Sequence, residues 1–268
     1  MKRVLPLLFA FALLSPSSAL ADPARTGQWI WTRGDLSLYR ERLRKDPDLE
    51  AGVFVATIRA EGNGVALKRA LSPALVPDPR AVVIRFDDSF HGFWEKGSDT
   101  NVASAVDRLL SGLLADVART GSAPKEIQLD YDCPERLLPR WASVLKSLAS
   151  GSLKGREVWI TSLTSPLRRD DFGKLFAGTV AGHIPQVFDT GDRFSPEAAT
   201  ALRERLDRAA LPFRLGLGAF ERVSGERATG HGRWREAIPT LETSPFYRGL
   251  WVFPAGQPWN LNASKGIL

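Results

Sequence analysis

The sequence predicts an irregular TIM-type (β/α)8 barrel, an α/β fold, spanning residues 22–268. Eight short apolar runs bounded by turn residues recur along the chain, and helix-patterned segments lie between most of them. This alternation is typical of a parallel sheet, either closed into a barrel or open and doubly wound. An open dinucleotide-binding sheet needs a glycine-rich turn after its first strand. Residues 31–35 (WTRGD) provide none, and no GxxxxGK[ST] phosphate loop occurs, so the barrel is favoured.

Each strand is assigned from apolar and β-branched residues, and each helix from apolar residues at helical spacing. The predicted strands are Trp29–Thr32, Val53–Ile58, Ala81–Phe86, Ile127–Asp132, Val158–Ser162, Ile184–Phe188, Phe213–Leu217 and Gly249–Phe253. The predicted helices are Leu36–Lys45, Val102–Thr120, Pro134–Ala149, Asp170–Ala177, Pro196–Ala210 and Trp234–Leu241. Ser195 before Pro196 is a strong start signal, an N-cap residue followed by proline in the first turn.

The connection after the second strand departs from the barrel pattern. Asn63-Gly64 stands between two alternating runs, which is a strong signal for a β-hairpin. We therefore expect a hairpin in place of the helix that would normally follow strand 2. No internal repeat or linker divides residues 22–268, and one domain is expected there.

The first 21 residues have the pattern of a secretory signal peptide. Lys2 and Arg3 precede an apolar run, Val4–Leu14, and Ala19–Ala21 forms a small-residue cleavage site. The run is shorter than the ~20 residues that a membrane-spanning helix needs. We expect cleavage after Ala21, no stable membrane insertion, and a periplasmic or secreted protein.

Composition argues against several classes of function. The net charge is +6, but Lys2 and Arg3 supply two of these charges, and no Lys/Arg cluster is interleaved with aromatic residues as a nucleic-acid face would require. Cys133 is the only cysteine and the three histidines lack ligand spacing, so neither a metal site nor another cofactor is expected. Cys133 is expected to be a buried thiol. The sequence does not define an oligomeric state.

The most informative segment is the end of the fourth predicted strand. Side chains alternate along a strand, so Gln128, Asp130 and Asp132 share one face. Active sites of barrels lie at the carboxyl ends of the strands. Three roles remain open for the two aspartates: catalysis, noncatalytic ligand binding, or a structural role in capping the next helix and pairing with Arg59 or Arg85.

Other side chains near strand ends complete the predicted site. Glycoside hydrolysis uses two carboxyl groups. Asp130 and Asp132 could form this pair, or an acid separate from them could come from Asp189 or Glu221. Flat aromatic rings stack on sugars, and polar groups orient them. The expected substrate-binding residues are Arg85, Asp87, Trp94, Trp31, Gln186 and Trp251, and Phe253 is a further aromatic candidate.

Five segments, in this order, resemble the bacterial family designated domain of unknown function 3142. They are Trp29–Trp31, Gly52–Ile58, Ile127–Asp132, Val158–Leu163 and His183–Phe188. The resemblance covers most of residues 22–268. It implies a glycosidase-like TIM barrel whose activity is unassigned, with the acidic strand end at Asp130 and Asp132 as the most specific element.

The same strand end is similar to the D-x-x-D-x-D-x-E motif of family 18 chitinases. In this alignment Asp130 and Asp132 match, but Ile127 replaces the first aspartate and Pro134 the glutamate, while Glu135 stands one position later. The catalytic acid of that family is therefore not supported. The leading hypothesis is an exported glycoside-hydrolase-like barrel acting on a polysaccharide or oligosaccharide. The alternative is a noncatalytic envelope protein that binds a saccharide or a partner protein.

Overall fold

The computed structural model describes residues 24–188, 194–220, 222–224, 227–229 and 231–259. The predicted signal peptide, residues 1–21, lies outside this range. The strands are β1 (Arg25–Ile30), β2 (Glu50–Glu61), β3 (Gly64–Arg69), β4 (Ala81–Phe86), β5 (Glu126–Tyr131), β6 (Glu157–Ser162), β7 (Gly182–Pro185), β8 (Phe213–Gly218), β9 (Arg222–Ser224), β10 (Arg227–Thr229) and β11 (Tyr247–Phe253). The helices are α1 (Arg33–Leu43), α2 (Ser89–Lys96), α3 (Asp99–Arg119), α4 (Leu138–Ser150), α5 (Phe172–Phe176), α6 (Pro196–Ala209) and α7 (Ile238–Leu241).

Eight parallel strands close into a barrel, which confirms the predicted fold class. The order around the barrel is β1, β2, β4, β5, β6, β7, β8 and β11, and β1 closes it by pairing with both β2 and β11. Helices follow most of the strands and cover the outside of the barrel. Because the eight strands are parallel, their carboxyl-terminal ends lie on one face of the barrel, where a TIM-type barrel places its ligand site.

The hairpin predicted after the second strand is present. β2 and β3 are antiparallel, and Glu61 lies opposite Gly64, so the turn consists of Gly62 and Asn63. Gly62 has φ +58°, as expected for the first turn residue of a type II′ hairpin, a position that favours glycine. The turn thus begins one residue before the Asn63-Gly64 signal. Between β3 and β4 the chain forms only a short 3-10 turn, Pro73–Leu75.

Helix α2 was not predicted from the sequence. Gly92 and the aromatic residues of Ser89–Lys96 have low helix propensity. However, Phe90 and Trp94 are one turn apart on the same helix face, and both are fully buried between the barrel and the helices. Their rings contact Tyr131 and Trp141, so tertiary burial stabilises a helix that the local sequence does not favour.

The barrel interior is filled by large aromatic residues opposite glycines. Trp251 of β11 is fully buried and packs against Gly27 and Gly52, where a Cβ atom would come within 2.5 and 2.8 Å of the indole ring. Trp159 of β6 uses Gly182 of β7 in the same way, with a clearance of 2.5 Å. Separations below 3.0 Å would force these rings aside, so each bulky side chain depends on a glycine of a neighbouring strand.

A buried ion-pair network closes the amino-terminal end of the barrel. Glu126, the first residue of β5, is fully buried and accepts two hydrogen bonds of 2.9 Å from Arg214. Arg80 donates to the same carboxylate at 3.2 Å, and Gln128 donates to it at 2.6 Å. Burial raises the pKa of Glu126, and the charge of Arg214 opposes this rise. We refer to Glu126, Arg214, Arg80 and Gln128 as the lower network.

Among the described residues, no helix is both long and apolar enough to cross a membrane.

Candidate functional site

A cavity of about 260 Å³ opens at the carboxyl ends of the barrel strands. It is lined by Trp29, Trp31, Val83, Arg85, Asp130, Asp132, Thr161, Leu163, Gln186, Phe188 and Phe253. Five residues predicted as site candidates meet here: Asp130, Asp132, Arg85, Trp31 and Gln186. Phe253, the further aromatic candidate, also lines the cavity. We refer to this space as the upper cavity.

Asp130 is the most perturbed carboxyl group in the upper cavity. Its side chain is almost completely buried at 8% exposure, and Oδ1 accepts hydrogen bonds from the Thr161 hydroxyl at 2.9 Å and from the Gln186 amide at 3.1 Å. Burial, together with the neighbouring carboxylate of Asp132, raises the pKa of Asp130 to about 6. Arg85, Thr161 and Gln186 oppose this rise. Because both donors bind Oδ1, a proton on Asp130 resides on Oδ2.

Asp132 lies two residues further along and is exposed to solvent. The alternation of side chains places both aspartates on the inner face of the barrel, as the sequence predicted. Neither the 3-10 turn Glu135–Leu137 nor helix α4 has a side-chain cap, so the capping role considered for Asp132 is not realised at these two helix starts.

Arg85 stands beside Asp130 because β4 and β5 are in register. The two residues are direct partners across the parallel strands, and both side chains face inward. The guanidinium of Arg85 lies 5.8 Å from the ring of Trp31, the residue that follows β1. β2 separates β4 from β1 in the barrel, so the arginine side chain reaches across the mouth toward the aromatic side. Arg59, the other arginine considered as a partner for the aspartates, instead pairs with Glu61 on the exposed hairpin.

An aromatic wall forms the other side of the upper cavity. Trp31 stacks on Phe54 with ring centres 4.2 Å apart and contacts Phe253 at 5.6 Å. Phe188 joins them through Phe253 at 5.7 Å. Trp29 lies deeper, and its indole nitrogen donates a 2.6 Å hydrogen bond to Gln128 of the lower network. The wall supplies flat apolar faces of the kind that stack on pyranose rings.

Three predicted binding residues do not line the upper cavity. Asp87 uses its carboxylate to accept hydrogen bonds from the backbone and hydroxyl of Ser89, at the start of α2. Trp94 is fully buried in the outer core, because α2 turns its ring toward Tyr131 and Trp141. Trp251 is fully buried beneath Trp29, with ring centres 5.9 Å apart, so it supports the cavity from below.

The two residues proposed as a separate acid, Asp189 and Glu221, lie outside the described residues. Glu135, one position after the glutamate of the chitinase motif, is exposed and does not line the upper cavity. Among the described lining residues, the carboxyl groups are those of Asp130 and Asp132.

Thr161, Trp29 and Phe188 were not singled out from the sequence as site residues. The signal for Thr161 is the alternation along β6, since Trp159 and Thr161 share a face and Ser162 lies on the other.

His183 and Cys133 lie outside the upper cavity. His183 is on the outward side of β7, where burial lowers its pKa to about 3 and its Nδ1 lies 3.0 Å from the Ser162 hydroxyl. Cys133 is buried, as predicted, and burial raises the pKa of its thiol. Within the part of the chain that the structure describes, no three His, Cys, Asp or Glu residues are grouped to hold a metal ion.

Comparison with solved structures identifies similar barrels. The spore cortex-lytic enzyme SleL of Bacillus cereus matches with a TM-score of 0.59 and 13% identity, covering 90% of this chain and 74% of SleL. The GH18 chitinase ChiB of Flavobacterium johnsoniae matches with a TM-score of 0.56 and 9% identity, covering 88% and 89%. The chitinase ICChI of Ipomoea carnea matches with a TM-score of 0.51 and 13% identity, covering 89% and 97%.

The chain shares the TIM-barrel fold of these proteins. At these identities the similarity shows the fold alone. Neither a scan against known protein families nor a search of curated proteins finds a match.

Proposed function

We propose that this protein is a glycoside hydrolase that cleaves a polysaccharide in the upper cavity, with Asp130 and Asp132 as its two carboxyl groups. The observation that carries the proposal is Asp130: a buried carboxyl group with a pKa raised to about 6, beside a second carboxylate and facing an aromatic wall. Two neighbouring carboxyl groups whose environments differ are typical of an acid and its partner.

The proposed chemistry assigns one role to each carboxyl group. Protonated Asp130 donates the proton on Oδ2 to the glycosidic oxygen as the bond to the anomeric carbon breaks. Asp132 either removes a proton from the water that attacks the anomeric carbon, which gives inversion, or attacks that carbon itself. In the second case water, deprotonated by Asp130, then cleaves the bond between the sugar and Asp132, which gives retention. Residues at i and i+2 on a strand are separated by ~6.5–7 Å at Cα, a spacing from which side chains can reach either arrangement.

The test is hydrolysis of a glycan panel by the wild type, Asp130→Asn and Asp132→Asn. Removing a general acid is expected to lower the rate about 100-fold or more. Wild-type activity should fall as the pH rises through about 6, because the active form of Asp130 is protonated. Glu135→Gln is the matched control, since this exposed carboxylate belongs to the same segment but lies outside the cavity. Full activity in both aspartate variants would refute the proposal.

A second candidate, noncatalytic saccharide binding, is favoured by one specific observation. Pro134 occupies the position of the glutamate in the chitinase motif, and Glu135 does not reach the upper cavity. This candidate predicts that the wild type binds oligosaccharides, measured by quenching of tryptophan fluorescence, without releasing reducing ends from any member of the panel.

Export and family membership are part of the proposal. Residues 1–21 have the signal-peptide pattern, so the protein would act in the periplasm or outside the cell. Amino-terminal sequencing of the protein recovered outside the cytoplasm is expected to begin at Asp22. Membership in the domain of unknown function 3142 family is supported by the five matching segments described above.

A further inference from the structure

The geometry points to an acidic sugar as the ligand: we propose that Arg85 binds a carboxylate carried by the pyranose that occupies the upper cavity. This inference rests on the proposed function for the class of ligand, a saccharide, but not on hydrolysis. It names the chemical group that distinguishes the preferred sugar from a neutral one.

The first argument is the placement of Arg85. Its guanidinium lies within the lining of the cavity, extends toward β1, and is 5.8 Å from the ring of Trp31. Within the described residues, its other recognised interaction is the electrostatic effect on Asp130, at longer range than a hydrogen bond. A guanidinium has five N–H donors in a planar fork that matches a carboxylate. In this cavity those donors face the space where a ligand would lie.

The second argument is that Asp130 is already supplied with donors. Thr161 and Gln186 both bind its Oδ1 at hydrogen-bond distance. Arg85 is therefore not required as the hydrogen-bonding partner of this carboxyl group. At the lower end of the same barrel, by contrast, Arg214 binds Glu126 directly through two 2.9 Å contacts. The barrel can bring an arginine onto a buried carboxylate of β5, but at Asp130 it does not.

The third argument is the arrangement of charge and aromatic faces. Arg85 and Trp31 lie on the β1–β4 side of the mouth, whereas Thr161 and Gln186 hold Asp130 from the β6–β7 side. A pyranose stacked on the aromatic wall can place its carboxylate on Arg85, whose positive charge offsets the repulsion that the two aspartates would exert on it. Its glycosidic oxygen would then face Asp130.

The test compares two pairs of probes, each consisting of an acidic sugar and a neutral counterpart. The first pair is a glucuronate-containing oligosaccharide and its carboxyl-reduced neutral form, which represents a uronic acid. The second pair is the N-acetylglucosamine–N-acetylmuramic acid disaccharide and di-N-acetylchitobiose, which represents a lactyl ether acid. Affinities are measured by isothermal titration calorimetry, and reducing ends are assayed separately. Whichever pair shows the preference identifies the source of the carboxylate.

The wild type is expected to bind the acidic member of at least one pair about 10- to 100-fold more tightly than the neutral member, the range for a charge-assisted hydrogen bond. Arg85→Gln should abolish that preference, so that the acidic and the neutral member of each pair bind equally to within about twofold. Arg85→Lys should retain part of the preference, because it keeps the charge but not the fork. Arg59→Gln is the control, since Arg59 lies on the exposed hairpin and pairs with Glu61.

Three results would overturn the inference: equal binding of both members in both pairs, no binding of either acidic probe at low-millimolar concentration, or a preference that persists in Arg85→Gln. Arg85→Lys provides the decisive comparison if Arg85→Gln does not fold by circular dichroism, since an undiminished preference in the lysine variant contradicts recognition by the fork. If the wild type prefers the acidic probe but releases no reducing ends, the proposed function alone is refuted.

Discussion

Strand β5 carries a buried carboxyl group at each end, and the two groups differ in the side chains that bind them. At the amino-terminal end, Glu126 is fully buried and bound by Arg214 and Arg80. At the carboxyl-terminal end, Asp130 is nearly as buried, but only a hydroxyl and an amide bind it. Conventional barrels place stability at the first end and function at the second. The lower network therefore pairs its carboxylate with cations, whereas the upper cavity leaves a carboxyl group whose pKa is raised to about 6.

The largest expected effect comes from breaking the lower network. Arg214→Met should lower the free energy of unfolding by about 3 kcal/mol, because it leaves Glu126 buried without its closest cation. Urea unfolding measures this change as a lower midpoint at an unchanged m-value. Arg59→Met is the control, an exposed pair for which the loss should be below about 0.5 kcal/mol.

The double variant Glu126→Gln/Arg214→Met should recover part of that loss, because the buried charge is removed along with its partner. If Arg214→Met is as stable as the wild type, the lower network does not have the structural role assigned to it.

The second prediction is that removing the charge at the upper end raises the free energy of unfolding instead of lowering it. Asp130→Asn should stabilise the protein by about 1–3 kcal/mol at pH 8, because the pKa of Asp130 in the folded state, about 6, lies above its ordinary value of 3.8. Ionising Asp130 therefore costs stability above pH 6, and this cost disappears below about pH 4. The asparagine keeps an oxygen that can accept from Thr161 and Gln186.

Thermal unfolding of wild type and Asp130→Asn between pH 4 and pH 8 checks this prediction. Glu135→Gln removes an exposed carboxylate and should leave the difference small at every pH. An Asp130→Asn protein that is less stable than the wild type at pH 8 would show that Asp130 is held as firmly as Glu126.

The smallest expected effect concerns the donors to Asp130. Gln186→Met removes one hydrogen bond to Oδ1 and should raise the pKa of Asp130 by at most about one unit, since such bonds favour the ionised form. Titration of the carboxyl carbon by nuclear magnetic resonance measures this shift. Thr161→Ser keeps the hydroxyl donor and should leave the pKa of Asp130 unchanged, whereas a fall in Gln186→Met would contradict the assigned direction.

Local patterns in the sequence were sufficient for the barrel and for part of the site. Alternation along β5 correctly placed Asp130 and Asp132 on one inner face, and Ser195 caps α6 by accepting from the Ala198 backbone N–H. The hairpin followed from a glycine-containing turn that can be recognised without tertiary information.

The remaining features depend on contacts between distant segments. The sequence does not reveal that Gly182 admits the ring of Trp159, or that burial against Tyr131 and Trp141 makes Ser89–Lys96 a helix. For this reason Trp94, an aromatic residue in an apparent loop, was assigned to the binding site although it lies in the outer core. The position of Arg85 opposite Asp130 likewise depends on the register of β4 and β5.

The hydrogen bond from Trp29 to Gln128 links the two ends of the barrel. Gln128 in turn donates to Glu126, so the indole that forms the deep wall of the upper cavity is fixed through the lower network. Trp29 consequently loses its rotational freedom when the chain folds and not when a ligand arrives. Association then avoids the ordering penalty of ~0.5–1.5 kcal/mol that a mobile side chain would add. The charged residues of the lower network, at the opposite end of the barrel, thus help to hold the binding surface rigid.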